Sequence, residues 1–389
     1  MKTSGCLLAF ALLAGCAPAP PAVVRGSTAP SRPLTVESNE STPEQLQLAA
    51  EQGKADGRAL SWELRDAAPA SGEMTAGEYR IAYVLTAPEG WYEPGPGGLV
   101  WKEPGDAGAH LRVFVLDGAD GRTVPDLDIR ASLLDGSGRA VDSRSLPFGW
   151  YPLLNGYGDN LRLPTDGSYT LRVEIAPPRF RRHDPYNGDR FTQPAVAEFS
   201  AVPFQGAGLS RRGPASARSE GQLELARGQG EALTRTLHAM WEQATSGAEQ
   251  PAGDYRVAYA VEYSEAYWHY HGDHFQYATE YEESAAKNCH VEAAPLDART
   301  GRFLPGLQVE ATLVGKDGRT VGTRAEPFMW HPWLYHYGEN WRVPESGEYR
   351  LRLRFAPPSY RRYGREAGRR FASPAEVEFT SVKIESGEK

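Results

Sequence analysis

This chain has few cysteines, no excess of positive charge and few long apolar segments. Three cysteines in 389 residues leave no basis for a disulfide framework. The 42 basic and 50 acidic residues give a net charge of −8, which argues against nucleic acid as the main partner. The apolar run at residues 7–13 is too short to cross a membrane as a helix. Stability must therefore come from packed cores, and the chain is long enough for two ordinary domains.

Short motifs that carry catalytic chemistry are also missing from the sequence. It contains no nucleophile elbow, no phosphate-binding glycine loop and no zinc-protease signature. A copper site with an open coordination position could do redox chemistry, but nothing in the sequence requires it. We therefore expect a binding protein rather than an enzyme.

The first sixteen residues have the features of an export signal. Lys2 precedes the apolar run, and the motif Leu-Ala-Gly-Cys ends at Cys16. This pattern is similar to the cleavage box of bacterial lipoproteins, in which the cysteine becomes the lipidated first residue. We predict a lipoprotein signal peptide over residues 1–16, with lipidation at Cys16. An ordinary secretory signal ending slightly later is the alternative.

The residues after Cys16 indicate where the protein is held. Ala17, rather than aspartate, follows the cysteine, which resembles lipoproteins sent to the outer membrane of Gram-negative cells. Residues 17–43 are rich in Pro, Ala, Ser and Thr and are predicted to form a flexible tether. We expect a lipid-anchored protein of the cell envelope, on the outer membrane and facing the periplasm.

The second half of the chain repeats the first at a fixed offset of 180 residues. Residues 147–152 read PFGWYP, and residues 327–332 read PFMWHP. The repeat predicts two domains, at residues 44–205 and 221–385, joined by a basic linker at residues 206–220.

Each repeat begins with a helical pattern and continues with strand patterns. Apolar or small residues recur every three or four positions at the start of the second repeat, on one helical face. These residues are Leu223, Ala226, Gly230, Leu233, Leu237 and Trp241. Later, Tyr349, Leu351 and Leu353 alternate with arginines, which buries one face of a strand. Short strands with Gly- and Pro-rich connections favour a β-sandwich in each repeat.

Side chains that bind metals differ between the two copies. Met329 and His336 of the second repeat stand where the first has Gly149 and Gly156. A thioether suits copper, particularly Cu(I), whereas imidazole suits copper, zinc and iron. Most methionines are packing residues, but a packing methionine would exchange for Leu or Ile rather than glycine. Both residues lie in a long connection rich in aromatic residues and proline, which we expect to be a loop. Loops rather than strands usually carry function.

Further candidates surround a second strand pattern. His290 and Glu292 share one face of the predicted strand, and Cys289 lies on the other, where a lone thiol is most often a buried apolar residue. Imidazole and carboxylate at this spacing can both reach one metal ion, but by itself His-x-Glu is a weak signal and favours a surface pair. His331 is either a further ligand or a loop residue.

A separate cluster contains His269, His271 and His274, where the second repeat has four extra residues. Three imidazoles this close in sequence can bind a metal, although an exposed histidine-rich loop binds weakly. We interpret the cluster as an auxiliary capture patch.

The block from residue 290 to about residue 371 resembles the periplasmic copper- and iron-binding proteins of bacterial iron uptake, the iron-transport domain family. The matching motifs are His290-Val291-Glu292, Met329 seven residues before His336-Tyr337-Gly338, Gly347-Glu348-Tyr349 and Ala356-Pro357-Pro358. Three features depart from the family. Pro327 replaces its second methionine, the Asp-x-His after the His-x-Glu strand is missing, and Tyr363 replaces the histidine of its Arg-His pair.

The resemblance implies an all-β fold: two tandem immunoglobulin-like β-sandwich domains, each preceded by an amphipathic helix, packed as a pseudo-dimer. It also implies metal binding through His, Glu and Met, and work alongside an inner-membrane iron permease. The first repeat keeps His110 and His183 but has Arg112 for the glutamate. We therefore expect one composite site and one inactive site, since Arg112 is a fixed cation. The composite site contains His290, Glu292, Met329 and His336 from the second repeat and His183 from the first.

Two functions remain open from the sequence. The first is a metal-binding envelope lipoprotein for uptake or buffering of copper or iron ions, whose affinity falls in acid as histidines protonate. The second is a non-catalytic adhesion or scaffold module, in which 9 Trp and 19 Tyr serve protein or glycan contacts.

Overall fold

The computed structural model describes residues 24–25, 35–162, 165–204, 215–271, 274–278 and 288–386. The predicted signal peptide with Cys16 lies outside the described residues, as do most of the predicted tether and most of the predicted linker. Within the described ranges, no helix is both long enough and apolar enough to cross a membrane.

The N-terminal repeat has one α-helix and thirteen strands. Helix α1 spans Pro43–Trp62 and continues into a π-helical turn at Glu63–Ala67. The strands are β1 (Val24–Arg25), β2 (Ala70–Ala76), β3 (Tyr79–Thr86), β4 (Trp91–Gly95), β5 (Gly98–Lys102), β6 (Ala109–Asp117), β7 (Ile129–Leu134), β8 (Ala140–Leu146), β9 (Phe148–Trp150), β10 (Gly156–Leu161), β11 (Gly167–Ile175), β12 (Arg181–His183) and β13 (Ala195–Phe204).

Among the described residues, the C-terminal repeat has the same order of helix and strands, except that β1 has no counterpart. Helix α2 spans Ala215–Gln243, and a 3₁₀ turn lies at Ala367–Arg369. The strands are β14 (Ser246–Ala252), β15 (Tyr255–Glu262), β16 (Tyr267–His271), β17 (His274–Ala278), β18 (Cys289–Asp297), β19 (Val309–Val314), β20 (Thr320–Glu326), β21 (Phe328–Trp330), β22 (His336–Trp341), β23 (Gly347–Phe355), β24 (Arg361–Tyr363) and β25 (Ala375–Ile384).

The strands form two β-sandwiches, each made of one large and one small sheet. The large sheets have the orders β2-β3-β6-β10-β9-β24-β4-β5 and β14-β15-β18-β22-β21-β12-β16-β17. The small sheets have the orders β1-β13-β11-β7-β8 and β20-β19-β23-β25. The predicted all-β fold of two tandem sandwiches, each preceded by a helix, is confirmed.

Burial along the strands follows the expected periodicity. In β23, Leu351 and Leu353 are buried while the arginines between them are partly or fully exposed, because only one face of the small sheet meets the core. The central strands β6 and β18 are instead buried at every residue. One face of each packs against the small sheet, and the other is covered by a helix.

Two short strands are exchanged between the repeats. Strand β12 of the first repeat lies between β21 and β16 of the second, and β24 of the second lies between β9 and β4 of the first. Each large sheet therefore contains one strand from the other repeat. The two repeats pack as the predicted pseudo-dimer through this exchange of strands.

The helices lie against turns of their own repeats through glycines. A Cβ atom on Gly53 would lie 1.8 Å from the carbonyl oxygen of Asp120, and one on Gly230 would lie 1.9 Å from that of Thr300. No residue other than glycine fits at either position, because a Cβ atom would overlap the carbonyl oxygen.

A capping box fixes the start of α1. In it, the Thr42 main-chain amide donates to Gln45 Oε1 at 2.7 Å.

Two buried arginines join the repeats in a pseudo-symmetric way. Arg122 donates to the carbonyl oxygens of His331 and Pro332 at 3.1 and 2.8 Å. Arg302 donates to those of Leu153 and Tyr151 at 2.6 and 2.8 Å. Each arginine thus satisfies main-chain acceptors in the connection between a short strand and the next strand of the opposite repeat.

We expect the substitution Arg302→Met to lower the free energy of unfolding by about 2–4 kcal/mol, because it removes two buried hydrogen bonds. The Leu153 carbonyl oxygen would keep only the bond from Gln229 Nε2, and the Tyr151 carbonyl oxygen would lose the arginine donor. Urea denaturation followed by circular dichroism measures the change. Arg319→Met is the control, since the Arg319 side chain is 90% exposed. Equal unfolding midpoints for the two variants would show that the arginine does not hold the repeats together.

Candidate metal centre

Three buried imidazoles meet where β12 enters the large sheet of the C-terminal repeat. His183 comes from β12, His290 from β18 and His336 from β22. One potential ligand atom from each residue lies within 4.8 Å of the others. All three side chains are at most 1% exposed. The structure therefore brings His183 of the first repeat to the two histidines of the second, as the composite hypothesis requires.

Met329 completes this cluster. Its Sδ lies 3.0 Å from His183 Nε2, and the side chain is fully buried. The expectation that Met329 and His336 lie in a loop was wrong. They are directly paired residues of the short antiparallel strands β21 and β22. Hydrogen bonding to both neighbouring strands fixes Met329 more tightly than a loop would.

Two carboxylates border the histidines. Glu292 Oε1 lies 3.5 Å from His336 Nε2, and Glu265 Oε2 lies 3.0 Å from His183 Nδ1. Glu265, His290 and Glu292 also form a second group whose potential ligand atoms lie within 4.8 Å of one another. The sequence reasoning missed Glu265. Its counterpart in the first repeat is Glu89, and this duplicated glutamate was the available signal.

A repeated asparagine orients His290. The Nδ1 atom of His290 lies 2.9 Å from Asn340 Oδ1. The side-chain Nδ2 of Asn340 donates to the Glu265 main-chain carbonyl oxygen at 2.7 Å. Since an amide oxygen only accepts, the His290 proton lies on Nδ1 and Nε2 is the basic nitrogen. There is no space for a side chain beneath this ring, because a Cβ on Gly338 would lie 2.6 Å from His290 Nε2.

Burial controls the charge of these groups. It lowers the pKa of His183 and His336 well below the usual value, and the neighbouring imidazoles lower both further. It raises the pKa of Glu265 and Glu292 well above the usual range, and Glu262 adds to both shifts by repulsion. Neutral imidazoles retain the lone pairs that a metal ion needs.

An open cavity of about 240 Å³ leads to the histidines and carboxylates. Glu262, Glu265 and Glu292 line it, together with His331 and His336. The His331 ring centroid lies 5.4 Å from that of His183, and burial lowers the pKa of His331 to about 3. His331 is thus placed beside the cluster, on the side of the cavity.

The donor set has a definite chemical preference. Imidazole nitrogens and a thioether sulfur suit copper, and imidazole with carboxylate suits iron and zinc, whereas magnesium and calcium prefer oxygen ligands. The residues present therefore fit a transition-metal ion.

Residues 249–383 match the family model described as "Fe2+ transport protein". The family resemblance is confirmed over the C-terminal repeat. No curated protein matches the chain.

Several solved structures are similar to part of this chain, and two of them each match about one third of it. FetP of uropathogenic Escherichia coli is 20% identical, with 35% of this chain and 98% of FetP covered and a TM-score of 0.25. The copper-reconstituted P19 protein of Campylobacter jejuni is 14% identical, with 35% and 94% covered and a TM-score of 0.26. A tetra-tandem repeat of a large adhesion protein is 10% identical, with 79% and 82% covered and a TM-score of 0.15.

The N-terminal repeat contains a counterpart of the candidate metal centre with different side chains. Gly149 and Gly156 replace Met329 and His336 and pair with each other in the same way. Tyr151 and Tyr363 lie against Gly149, stacked with ring centroids 4.1 Å apart and planes 6° apart, and Phe114 and Arg112 lie against Gly156. This position is packed with rings.

His110 is retained there but is engaged by other groups. Its Nδ1 lies 2.9 Å from Asn160 Oδ1, as His290 Nδ1 does from Asn340 Oδ1 in the C-terminal repeat, while its Nε2 lies 2.9 Å from the Tyr151 hydroxyl. Arg112, at the position of Glu292, forms a buried ion pair with Glu63 at the end of α1. The Arg112 guanidinium therefore pairs with the Glu63 carboxylate rather than pointing toward His110.

We expect Arg112→Met to lower the free energy of unfolding by about 3–5 kcal/mol, because it leaves the Glu63 carboxylate buried without a partner. The double variant E63Q/R112M, which removes both charges, should recover much of this loss. A double-mutant cycle in urea, with Glu310→Gln as an exposed control, measures the coupling. Additive effects of the two changes would contradict a buried pair.

Proposed function

We propose that this protein is an envelope lipoprotein that binds copper or iron ions for uptake or buffering and passes them to an inner-membrane iron permease. The bound ion is cargo. The observation that carries the proposal is the meeting of side chains from both repeats in one buried cluster. The five proposed ligands of the ion are His183, His290, Met329, His336 and Glu292.

Each ligand has a distinct part in this proposal. His290, held by Asn340, presents Nε2 in a fixed direction and serves as the anchor. His183 and His336 add neutral nitrogen donors from two other strands. Met329 contributes a soft sulfur that favours copper, particularly Cu(I). Glu292 supplies the negative charge that offsets a divalent ion.

The surroundings support capture from solution. Glu262 and Glu265 line the cavity that gives cations access to His336 and Glu292. Glu265 and Glu292 would release their protons as a cation binds, because its positive charge opposes the effect of burial on their pKa. The lipid anchor at Cys16 would keep the protein at the membrane while its ligands load. The family match over residues 249–383 supports the link to iron transport.

The composite centre is tested by His183→Gln, which changes the first repeat only. We expect it to weaken Cu²⁺ binding by roughly 10–100-fold, as much as His336→Gln in the second repeat. Isothermal titration calorimetry of the purified chain measures the affinity. His238→Gln is the matched control, since His238 is an exposed imidazole on α2.

If His183→Gln binds like the His238→Gln control, the centre does not span the repeats. If the unmodified chain binds no metal in a defined ratio, the scaffold function replaces metal binding.

The choice of metal is tested by Met329→Leu, which keeps the volume but removes the sulfur. Cu(I) affinity should fall by about tenfold, whereas Zn²⁺ affinity should change little, because zinc does not depend on a thioether. Competition against chromophoric chelators measures both. An equal loss for the two metals would indicate that Met329 shapes the site rather than selects the ion.

A further inference from the structure

The β16–β17 hairpin has two chemically different faces. Paired residues of an antiparallel hairpin share a face, and successive pairs alternate. Trp268 with Tyr277 and Tyr270 with Phe275 therefore form an aromatic face. The opposite face contains Tyr267, His269, Gln276, His271 and His274.

The aromatic face is anchored on the first repeat. The Arg182 guanidinium lies 3.6 Å from the Phe275 ring centroid, and that of Arg179 lies 5.0 Å from the Tyr270 centroid. Trp268 packs so closely on Gly188 that a Cβ there would lie 1.8 Å from the indole Cδ1. These contacts fix the hairpin and determine which face the histidines occupy.

The His271 ring lies next to both other imidazoles of this face. The ring centroids of His269 and His271 lie 6.3 Å apart, and those of His271 and His274 lie 6.4 Å apart. An ion held at about 2 Å from a nitrogen of each ring fits between two imidazoles at this separation. His271 and His274 are exposed, so an ion can reach both imidazoles directly from solvent.

The same face continues to the buried centre. The centroid of His269 lies 6.1 Å from that of Tyr267, which lies 6.3 Å from that of His183. A continuous row of rings thus runs along β16 from the hairpin tip to a proposed ligand. Of the 9 histidines in the chain, three lie on the hairpin, and His331 and three proposed ligands lie at the centre.

The other repeat lacks this row. Strand β24 pairs with β4 as β12 pairs with β16, which aligns Trp91 with Tyr267. The positions of the three hairpin histidines are then Glu93, Gly95 and Gly98. The expectation that these histidines lie at the four extra residues of the second repeat was therefore wrong. The hairpin histidines therefore occur in the same copy as the buried cluster, and both are replaced in the other copy.

We infer that the histidine face of this hairpin is a second metal-binding site, for a divalent transition-metal ion such as Cu²⁺, and that it loads the buried centre. The ligands are His269, His271 and His274, with imidazole nitrogen as the only donor type. The loading step rests on the proposed function, whereas binding at the hairpin does not.

Equilibrium dialysis of the full chain against Cu²⁺ tests the binding. We expect two ions per chain for the unmodified protein and for His238→Gln, and one for the triple variant H269Q/H271Q/H274Q. The variant H183Q/H336Q should retain the hairpin ion. Two ions in the triple variant, or loss of an ion in His238→Gln as well, would overturn the hairpin site.

The same titrations separate this inference from the proposed function. If the unmodified chain binds one ion that the triple variant loses and H183Q/H336Q keeps, the hairpin site stands and the buried centre fails. If the triple variant keeps the single ion and H183Q/H336Q loses it, the buried centre stands and the hairpin site is wrong.

Stopped-flow mixing with less than one equivalent of Cu²⁺ tests the loading step. The buried centre should fill about tenfold more slowly in the triple variant than in His238→Gln, because the hairpin raises the local metal concentration. Equal filling rates would overturn loading by the hairpin.

Discussion

The candidate centre depends on the pairing of one three-residue strand with the opposite repeat. Strand β12 pairs in parallel with β21, so that Arg181 aligns with Met329, and in antiparallel with β16, so that His183 aligns with Tyr267. These two registers place the His183 imidazole against the Met329 sulfur. A shift of one residue would turn the ring to the other face of the sheet, and the cluster would lose its contribution from the first repeat.

Fusion of the two copies in one chain permits the asymmetry that follows. In a symmetric dimer both composite positions would carry identical side chains. Here one position holds imidazoles and a thioether, and the other is filled by stacked tyrosines and a buried ion pair. Buried polar groups require partners. The first repeat satisfies them within the protein, through Glu63 with Arg112 and Tyr151 with His110. The second leaves neutral donors facing one another, an arrangement that favours a bound cation.

Much of the site could be predicted from the sequence, for identifiable reasons. The first repeat has glycines where the second has Met329 and His336, which indicated that Met329 and His336 are not packing residues. The alternation of a strand placed His290 and Glu292 on one face and Cys289 on the other, in the core. Glu265 was missed because it follows the end of β15, outside any periodic pattern. Met329 and His336 were assigned to a loop because a three-residue strand is too short to show a period of two.

The sequence by itself determined the duplication, the β-sandwich class and the residue types available as ligands. These are local properties, since repeats and burial periodicity are written along the chain. Only the tertiary structure decided that His183 joins the opposite repeat, that Asn340 orients His290 and that three hairpin histidines share a face with Tyr267. Each of these depends on hydrogen-bond register between strands distant in sequence, and the free energy that selects a register comes from the whole packed sheet rather than from any segment of it.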